Sequence, residues 1–386
     1  MIDSSLQSPL TGEKQNRLRV LIQQPILAPY RLAVFRALQN HPDLDVTFAY
    51  GQAHKDSALQ SVMNPEGLSV IPVRNRFLLP HQAAVFQDGL VDAFRQVSPD
   101  VVVLALDPRE FSNFLVEKAA RKTGCKVVWW GHGVRPRGRY RTWYRDMAKR
   151  GDATLLYYPQ GAEVLAQLGV PEDKLFVAWN SIEVEEIAEL GAPFSPDRKT
   201  IISVGRMIPE KKVPLMVEGF TYAVEKLGLD ARLVIIGEGP DKGRVEELAA
   251  KSPAGDRIEI LGAMYRQTDL APYFNDAYVA VSTGYVGLSA IHCLAYGVPM
   301  LAADDEPHSP EIMALKQGEN SEFFRANSVE DLAAKLVEMK SDPAKLAAYS
   351  AKGKEYALST FSATGMANNI AKAILFAAGR DANQKP

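Results

Sequence analysis

Cysteine is scarce: Cys125 and Cys293 are the only two in a chain of 386 residues, far apart and without CxxC or CxH spacing. That excludes a disulfide framework and a structural zinc site, and free thiols in a reducing compartment are expected. Long hydrophobic runs are missing as well. The longest compact one, residues 101–106, has the length of a strand and falls far short of the ~20 apolar residues of a membrane span. Nor does one sign of charge dominate. Lys and Arg number 44 against 46 Asp and Glu, a net charge of -2, which excludes a uniformly basic nucleic-acid binder and an acidic disordered chain. Any charged site must be local. Residues 1–16 are polar and lack a basic segment followed by an apolar core, so they read as a disordered leader and not as a secretory signal. A cytoplasmic protein is expected.

What is present is an apolar share of 47%, suited to ordinary globular cores, on a chain long enough for two domains. Short apolar runs alternate with helix-period segments. Residues 19–24, 44–50, 101–106, 126–130 and 153–158 read as buried strands, each followed by a stretch long enough for a helix. A second series begins at 200–204 and continues at 232–236, 257–261, 278–281 and 298–302. This is parallel α/β winding in two Rossmann-like halves, whose ligands are expected in an interdomain cleft beyond the carboxyl ends of the strands. The first domain is placed at 17–184, a linker rich in charge with Gly191, Pro193 and Pro196 at 185–199, and the second domain at 200–360. Residues 361–380 read as a helix that buries a face, either on its own domain or back on the first.

The second series carries local charge. The strand at 200–204 runs into Gly205, which permits a sharp turn, and places Arg206 and Lys211 on one strand-to-helix loop. A guanidinium fork and an ammonium point charge converging there suit a diphosphate, although an Arg and a Lys on a loop are also ordinary solvated surface. Two further loops point the same way. The strand at 232–236 ends in Gly237 and Gly239, and the one at 278–281 opens through Ser282, Gly284 and Gly287 into a helix, whose free N–H groups form an anion site.

The motifs VGRMIPEKK, IIGEGP, GYVGLSAIHCLAYGVPM and SPEIM, in that order, resemble the donor-binding half of the large retaining, nucleotide-sugar-dependent glycosyltransferase family with two Rossmann domains, of the GT-B type and family 4, or group 1, kind. VVWWGHG at 127–133 and WNSIEV at 179–184 resemble that family's first-domain histidine loop and interdomain asparagine segment. The resemblance implies that Arg206 and Lys211 bind the donor diphosphate and that the backbone around Gly262 contacts the nucleobase. It also implies that Gly284, Tyr285, Val286, Gly287 and Leu288 hold sugar and phosphate, and that His132, between two glycines, contacts the transferring sugar. One departure matters. The family carries two glutamates separated by seven residues, and the matching positions here are Gly284 and His292, with no acid between Asp276 and Asp304.

Members of that family react on one face of the sugar, with the departing phosphate accepting the acceptor proton. The departure therefore bears on sugar identity more than on reaction class. His292 is either a hydrogen-bonding partner of the ribose or a phosphate, or a packed histidine under the loop. Glu311 either holds ligand or complements a helix N-terminus. In the first domain, residues 25–31 replace a glycine-rich acceptor loop with one stiffened by Pro25 and Pro29, ending in Arg31, which reads as a phosphate contact or a helix-surface arginine. Residues 135–150 hold seven basic residues and one acid. There Tyr140, Trp143, Tyr144 and Met147 form a helical stripe beside Arg141, Arg145 and Lys149. Such a stripe is either core or a basic face that meets anionic lipid or a lipid-linked acceptor; Arg31, Arg141, Trp143 and Arg145 are the acceptor or membrane candidates. RNA would also fit the chemistry, but no RNA-binding motif accompanies it, and no nucleic-acid partner is expected. Asp43-Leu44-Asp45 has metal-binding spacing yet precedes a strand, so no metal and no cofactor beyond the nucleotide sugar is expected.

The expected protein is a metal-independent retaining glycosyltransferase of the cytoplasm or the inner membrane face, with His132, Arg206 and Lys211 as catalytic residues. A non-catalytic sugar-nucleotide-binding protein and a nucleotide-sugar epimerase are the alternatives.

Overall fold

The computed structural model describes residues 17–380 apart from 56, 58, 59, 79–83 and 134–139, so the expected leader at 1–16 lies outside the described residues. The described residues form two compact units, one from 17–179 with 364–380 and one from 180–363. In the first, strands β1 (Leu18–Ile26), β2 (Leu44–Gly51) and β3 (Val70–Pro72) are followed by a hairpin of β4 (Arg74–Leu78) and β5 (Ala84–Asp88). Then come β6 (Val101–Ala105), β7 (Lys126–Gly131), β8 (Ala153–Leu156) and β9 (Leu175–Val177). Seven of these make one parallel sheet in the order β3-β2-β1-β6-β7-β8-β9, with β4 and β5 antiparallel beside it. The central strands are continuous apolar runs because helices cover both faces of such a sheet; Val101, Val102, Val103 and Leu104 are all fully buried.

The second unit repeats the plan. Strands β10 (Thr200–Val204), β11 (Arg232–Ile236), β12 (Ile258–Leu261), β13 (Ala277–Ser282), β14 (Met300–Ala303) and β15 (Ser321–Phe324) form a parallel sheet in the order β12-β11-β10-β13-β14-β15. In both sheets the order reverses beside the first strand, between β1 and β6 and between β10 and β13. There the loops leaving the carboxyl ends diverge and open a crevice.

Two expectations change, and one of two alternatives for the last helix is selected. Among the described residues no helix lies between β2 and β3; the chain instead makes β3 and the β4–β5 hairpin, and the alternation of exposed and partly buried positions along β4 suits a half-exposed pair. Residues 185–199 are packed on the second unit and are not a free linker. Val184, Ile187 and Ala188 fall at helical spacing and bury one side of the helix Val184–Leu190. The buried Arg198 then donates to the carbonyls of Ala192 at 2.9 Å, Pro193 at 2.8 Å and Ala277 at 3.1 Å. The last helix, Ala363–Ala377, lies with the first unit from Thr364 on: Ile370 and Ile374 are buried, and the Phe376 ring lies 5.1 Å from Phe176.

Candidate functional site

In the second unit, β10 ends at Gly205 and a 3-10 turn, Pro209–Lys211, precedes the helix Val213–Leu227. The neighbouring loop comes from β13. A pocket between them is lined by Gly205, Arg206, Lys211, Ser282, Ser289 and Cys293. The structure therefore brings Gly205, Arg206 and Lys211 together at the crevice of the second sheet. Of the two adjacent lysines, Lys212 is spent on Glu306 and on Asn327 at 2.8 Å. Lys211 has no carboxylate partner among the described residues; its ammonium lies 5.5 Å from the Tyr285 ring centroid. Burial, and then the Arg206 guanidinium, lower its pKa to about 8. A partly buried ammonium beside a second cation gains from an anion more than an exposed one does.

The loop from β13 is tied to this one. Tyr285 N–H donates to the Glu210 carbonyl at 2.7 Å and Val286 N–H to His308 Nδ1 at 3.1 Å, so two of the N–H groups expected to face a phosphate are used internally. Those of Gly287 and Leu288 have no partner among the described residues. Gly284 sits against the turn so closely that a Cβ there would overlap the Glu210 carbonyl oxygen. This explains the first departure from the family pattern, since no side chain fits at 284 unless the turn moves. Gly237, after β11, likewise meets the Gly205 carbonyl where a Cβ would stand. Gly262 follows β12 beside Glu238, which Lys242 holds at 2.6 Å.

Two expected ligands are engaged with other residues of the chain. His292 is not in the pocket lining: its Nε2 is 2.8 Å from Gln267 Oε1, and its ring stands edge-on to Phe274 and Tyr296 at 5.0 and 5.3 Å. Burial lowers its pKa to about 4, so the ring is neutral. Glu311 is buried with both oxygens engaged, Oε1 by Asn180 Nδ2 at 2.6 Å and Oε2 by Ser309. In their place the structure supplies Ser289 and, one helical turn on, Cys293. The Ser289 hydroxyl is buried without a partner among the described residues. The Cys293 thiol, raised to about 12 by burial, is neutral. A serine opening a helix after a glycine loop was the available signal for Ser289.

In the first unit, His132 is exposed just after β7, its ring 4.5 Å from that of Tyr157. Arg31 is not on a helix surface: it is 8% exposed, and its guanidinium lies over Tyr157, Trp130 and Tyr30. The aromatic stripe divides. Met147 is buried and Tyr144 partly so, whereas Tyr140 and Trp143 are 54% and 55% exposed. The basic face is weaker than its composition suggests, because Arg145 pairs with Asp146 at 2.8 Å, Arg150 with Glu117 at 2.9 Å, and Arg141 is half-buried. Residues 135–139 of that segment lie outside the described residues. A buried polar network joining β1, β5 and the segment after β6 went unseen in the sequence: Gln23 Nε2 donates to Gln87 at 2.7 Å and to Glu110 Oε2 at 2.8 Å, and Asn113 Nδ2 to Glu110 Oε2 at 3.2 Å. Burial outweighs these bonds and raises the Glu110 pKa to about 7.

The paired cations and the glycine loop lie within the part of the chain that matches a known family. Residues 189–356 match the family described as Glycosyl transferases group 1. That span lies within the second unit and contains every group 1 donor-side position discussed above. Alpha-monoglucosyldiacylglycerol synthase of Acholeplasma laidlawii is 28% identical over 150 residues, 38% of this chain and 36% of that protein. The chain spans between 16% and 36% of the length of the curated relatives it matches. Among solved structures, HepE of Anabaena in complex with UDP superposes with a TM-score of 0.68 at 13% identity, covering 92% of this chain and 98% of its own. A glycosyltransferase from Rickettsia africae gives 0.71 at 16% identity, covering 94% and 99%. These likenesses establish the fold, two Rossmann-like domains of the GT-B type. No helix among the described residues is long and apolar enough to cross a membrane.

Proposed function

We propose that this protein is a retaining glycosyltransferase that moves a sugar from a nucleotide-diphosphate sugar to an acceptor bound by the first unit. The observation that carries the reading is the state of Lys211: partly buried, beside Arg206, and without a carboxylate, while the adjacent Lys212 is neutralised by Glu306. Two cations without a carboxylate partner among the described residues, at a sheet's crevice, fit the diphosphate of a donor. The group 1 match over the same residues and the UDP complex of HepE support it.

In this reading the bond from the sugar's anomeric carbon to the diphosphate oxygen breaks while the acceptor oxygen bonds to the same face. The acceptor's proton passes to the departing phosphate. Arg206 and Lys211 offset the charge that develops on that phosphate, with Gly287 and Leu288 N–H groups adding to it, and this electrostatic effect is the largest asked of the protein. The same two side chains take the place of a metal. His132 contacts the transferring sugar. The acceptor is a glycan, a lipid-linked molecule or a small molecule. Exposed Tyr140 and Trp143 beside Arg141 favour association with an anionic membrane surface.

Incubation with nucleotide sugars and a panel of acceptors, read by mass spectrometry with the product's anomeric configuration read by NMR, tests the proposal. A glycosylated product with the donor's configuration is expected. Nucleotide binding without transfer or donor hydrolysis would instead favour a non-catalytic binding protein, the reading suggested by Gly284 and His292 in place of two glutamates.

A further inference from the structure

The first unit encloses a cation that has no counter-ion among the described residues. Arg31 closes the 3-10 turn Pro29–Arg31 just after β1, and its guanidinium carbon lies 4.9 Å from the Tyr157 ring centroid and 5.5 Å from those of Trp130 and Tyr30. Among the described residues the guanidinium makes one hydrogen bond, from Nη1 to Met366 Sδ at 3.0 Å, and no Asp or Glu pairs with it. Sulfur is a weak acceptor, and the ring faces satisfy the cation's plane while leaving its N–H edge unused. A buried charge without a partner is costly, so a fold retains one where something else completes it. Nε and Nη2 make no hydrogen bond among the described residues, so that edge of the guanidinium is available to a ligand. The position is informative as well. Arg31 lies on the loop leaving β1, which borders β6 at the reversal of the first sheet, the place where open α/β sheets take their ligands.

We propose that Arg31 recognises an oxyanion, phosphate or carboxylate, on the molecule that the first unit binds. Tyr157, Trp130 and Tyr30 fix the guanidinium plane, and the free edge makes the paired hydrogen bonds that a lysine could not. That this molecule is the sugar acceptor rests on the transferase reading. The donor's phosphates are assigned to Arg206 and Lys211, so the anion at Arg31 belongs to the other substrate and the acceptor is an anionic compound. The anion subsite itself does not depend on that reading.

The test uses the full chain carrying Arg206→Ala and Lys211→Met, so that the second unit's cations do not contribute. Methyl phosphate and acetate are titrated separately while tryptophan emission is followed, because Trp130 borders the guanidinium. Saturable binding of one of them is expected, methyl phosphate indicating a phosphorylated acceptor and acetate a carboxylated one. Adding Arg31→Met, whose side chain suits the aromatic surroundings, should weaken it by at least about tenfold, with Arg31→Lys between the two. Failure of both anions to bind, equal binding by Arg31→Met, or an unfolded Arg31→Met alongside undiminished binding by Arg31→Lys would each overturn the proposal and leave the arginine a packing residue. If anions bind through Arg31 while the unmodified chain transfers no sugar, the subsite stands and the transferase reading falls.

Discussion

Tyr285 donates its backbone N–H to the Glu210 carbonyl at 2.7 Å, joining the loop after β13 to the turn that carries Lys211. Thr283 Oγ1 strengthens the junction by donating to the carbonyls of Lys211 at 3.1 Å and Lys212 at 2.8 Å. The two loops of the crevice thus hold each other, and the position of Lys211 depends on how closely the β13 loop can approach.

Gly284 sets that approach. Gly284→Ala puts a methyl group on the Glu210 carbonyl, and the overpacking should cost about 1–3 kcal/mol in thermal or urea denaturation. Gly284→Glu, which restores the acid of the group 1 pattern, should lower stability further and weaken UDP binding. A gain in transfer activity on restoring the glutamate would contradict this.

Lys211 gives a pH signature. Its pKa is about 8 in the folded chain against 10.5 for an ordinary lysine, so between these values the unfolded chain holds more protons and this side chain's effect on stability becomes more favourable as pH rises. Lys211→Met should remove that component from a stability–pH profile. Diphosphate binding requires the protonated form, so UDP affinity in the wild type should fall by about tenfold between pH 8 and pH 9 or somewhat above, and the fall should be absent in Lys211→Met.

His292 should behave as a core residue. Its folded pKa, lowered to about 4 by burial from an ordinary 6.5, makes its contribution fully present above 6.5 and lost as pH falls through 4. His292→Ala should destabilise by about 2–4 kcal/mol through the lost packing and the lost hydrogen bond to Gln267. Donor affinity should stay within about twofold of wild type, because less than a few tenths of a kcal/mol is at stake. Unchanged stability with lost affinity would restore the ribose contact.

Glu110 provides the opposite slope. Its pKa, raised by burial to about 7 from 4.5, means that its contribution is fully present below 4.5 and is lost as pH rises through 7. Glu110→Gln keeps an acceptor for Gln23 and Asn113 and needs no ionisation. It should flatten the stability profile between those values and gain up to roughly 3 kcal/mol above pH 7.

Much of the architecture was legible because parallel strands buried on two faces are continuous apolar runs; β10 and β11 begin and end where those runs do. β3, β9 and β15 were missed because each is only three or four residues long and stands at or near a sheet edge, where no such run is required. In the site, Gly205, Arg206 and Lys211 could be read from one loop of sequence. Which of two adjacent lysines is free could not, since Glu306 and Asn327 decide it from about a hundred residues away in the chain. The same limit hid the surroundings of Arg31, assembled from Tyr30, Trp130, Tyr157 and Met366, and the side of the helix Ser289–Ala295 on which His292 packs. Residue type announces chemistry, but a partner distant in sequence decides whether that chemistry is available.

The central claim is that Arg206 and Lys211 hold a donor's diphosphate, and calorimetric titration of UDP into the wild type, Arg206→Ala and Lys211→Met tests it most directly. Saturable binding that each substitution weakens by at least about tenfold, the effect of losing one charge-assisted contact, is the expected result. Affinities that remain within about twofold of wild type in both variants would contradict it.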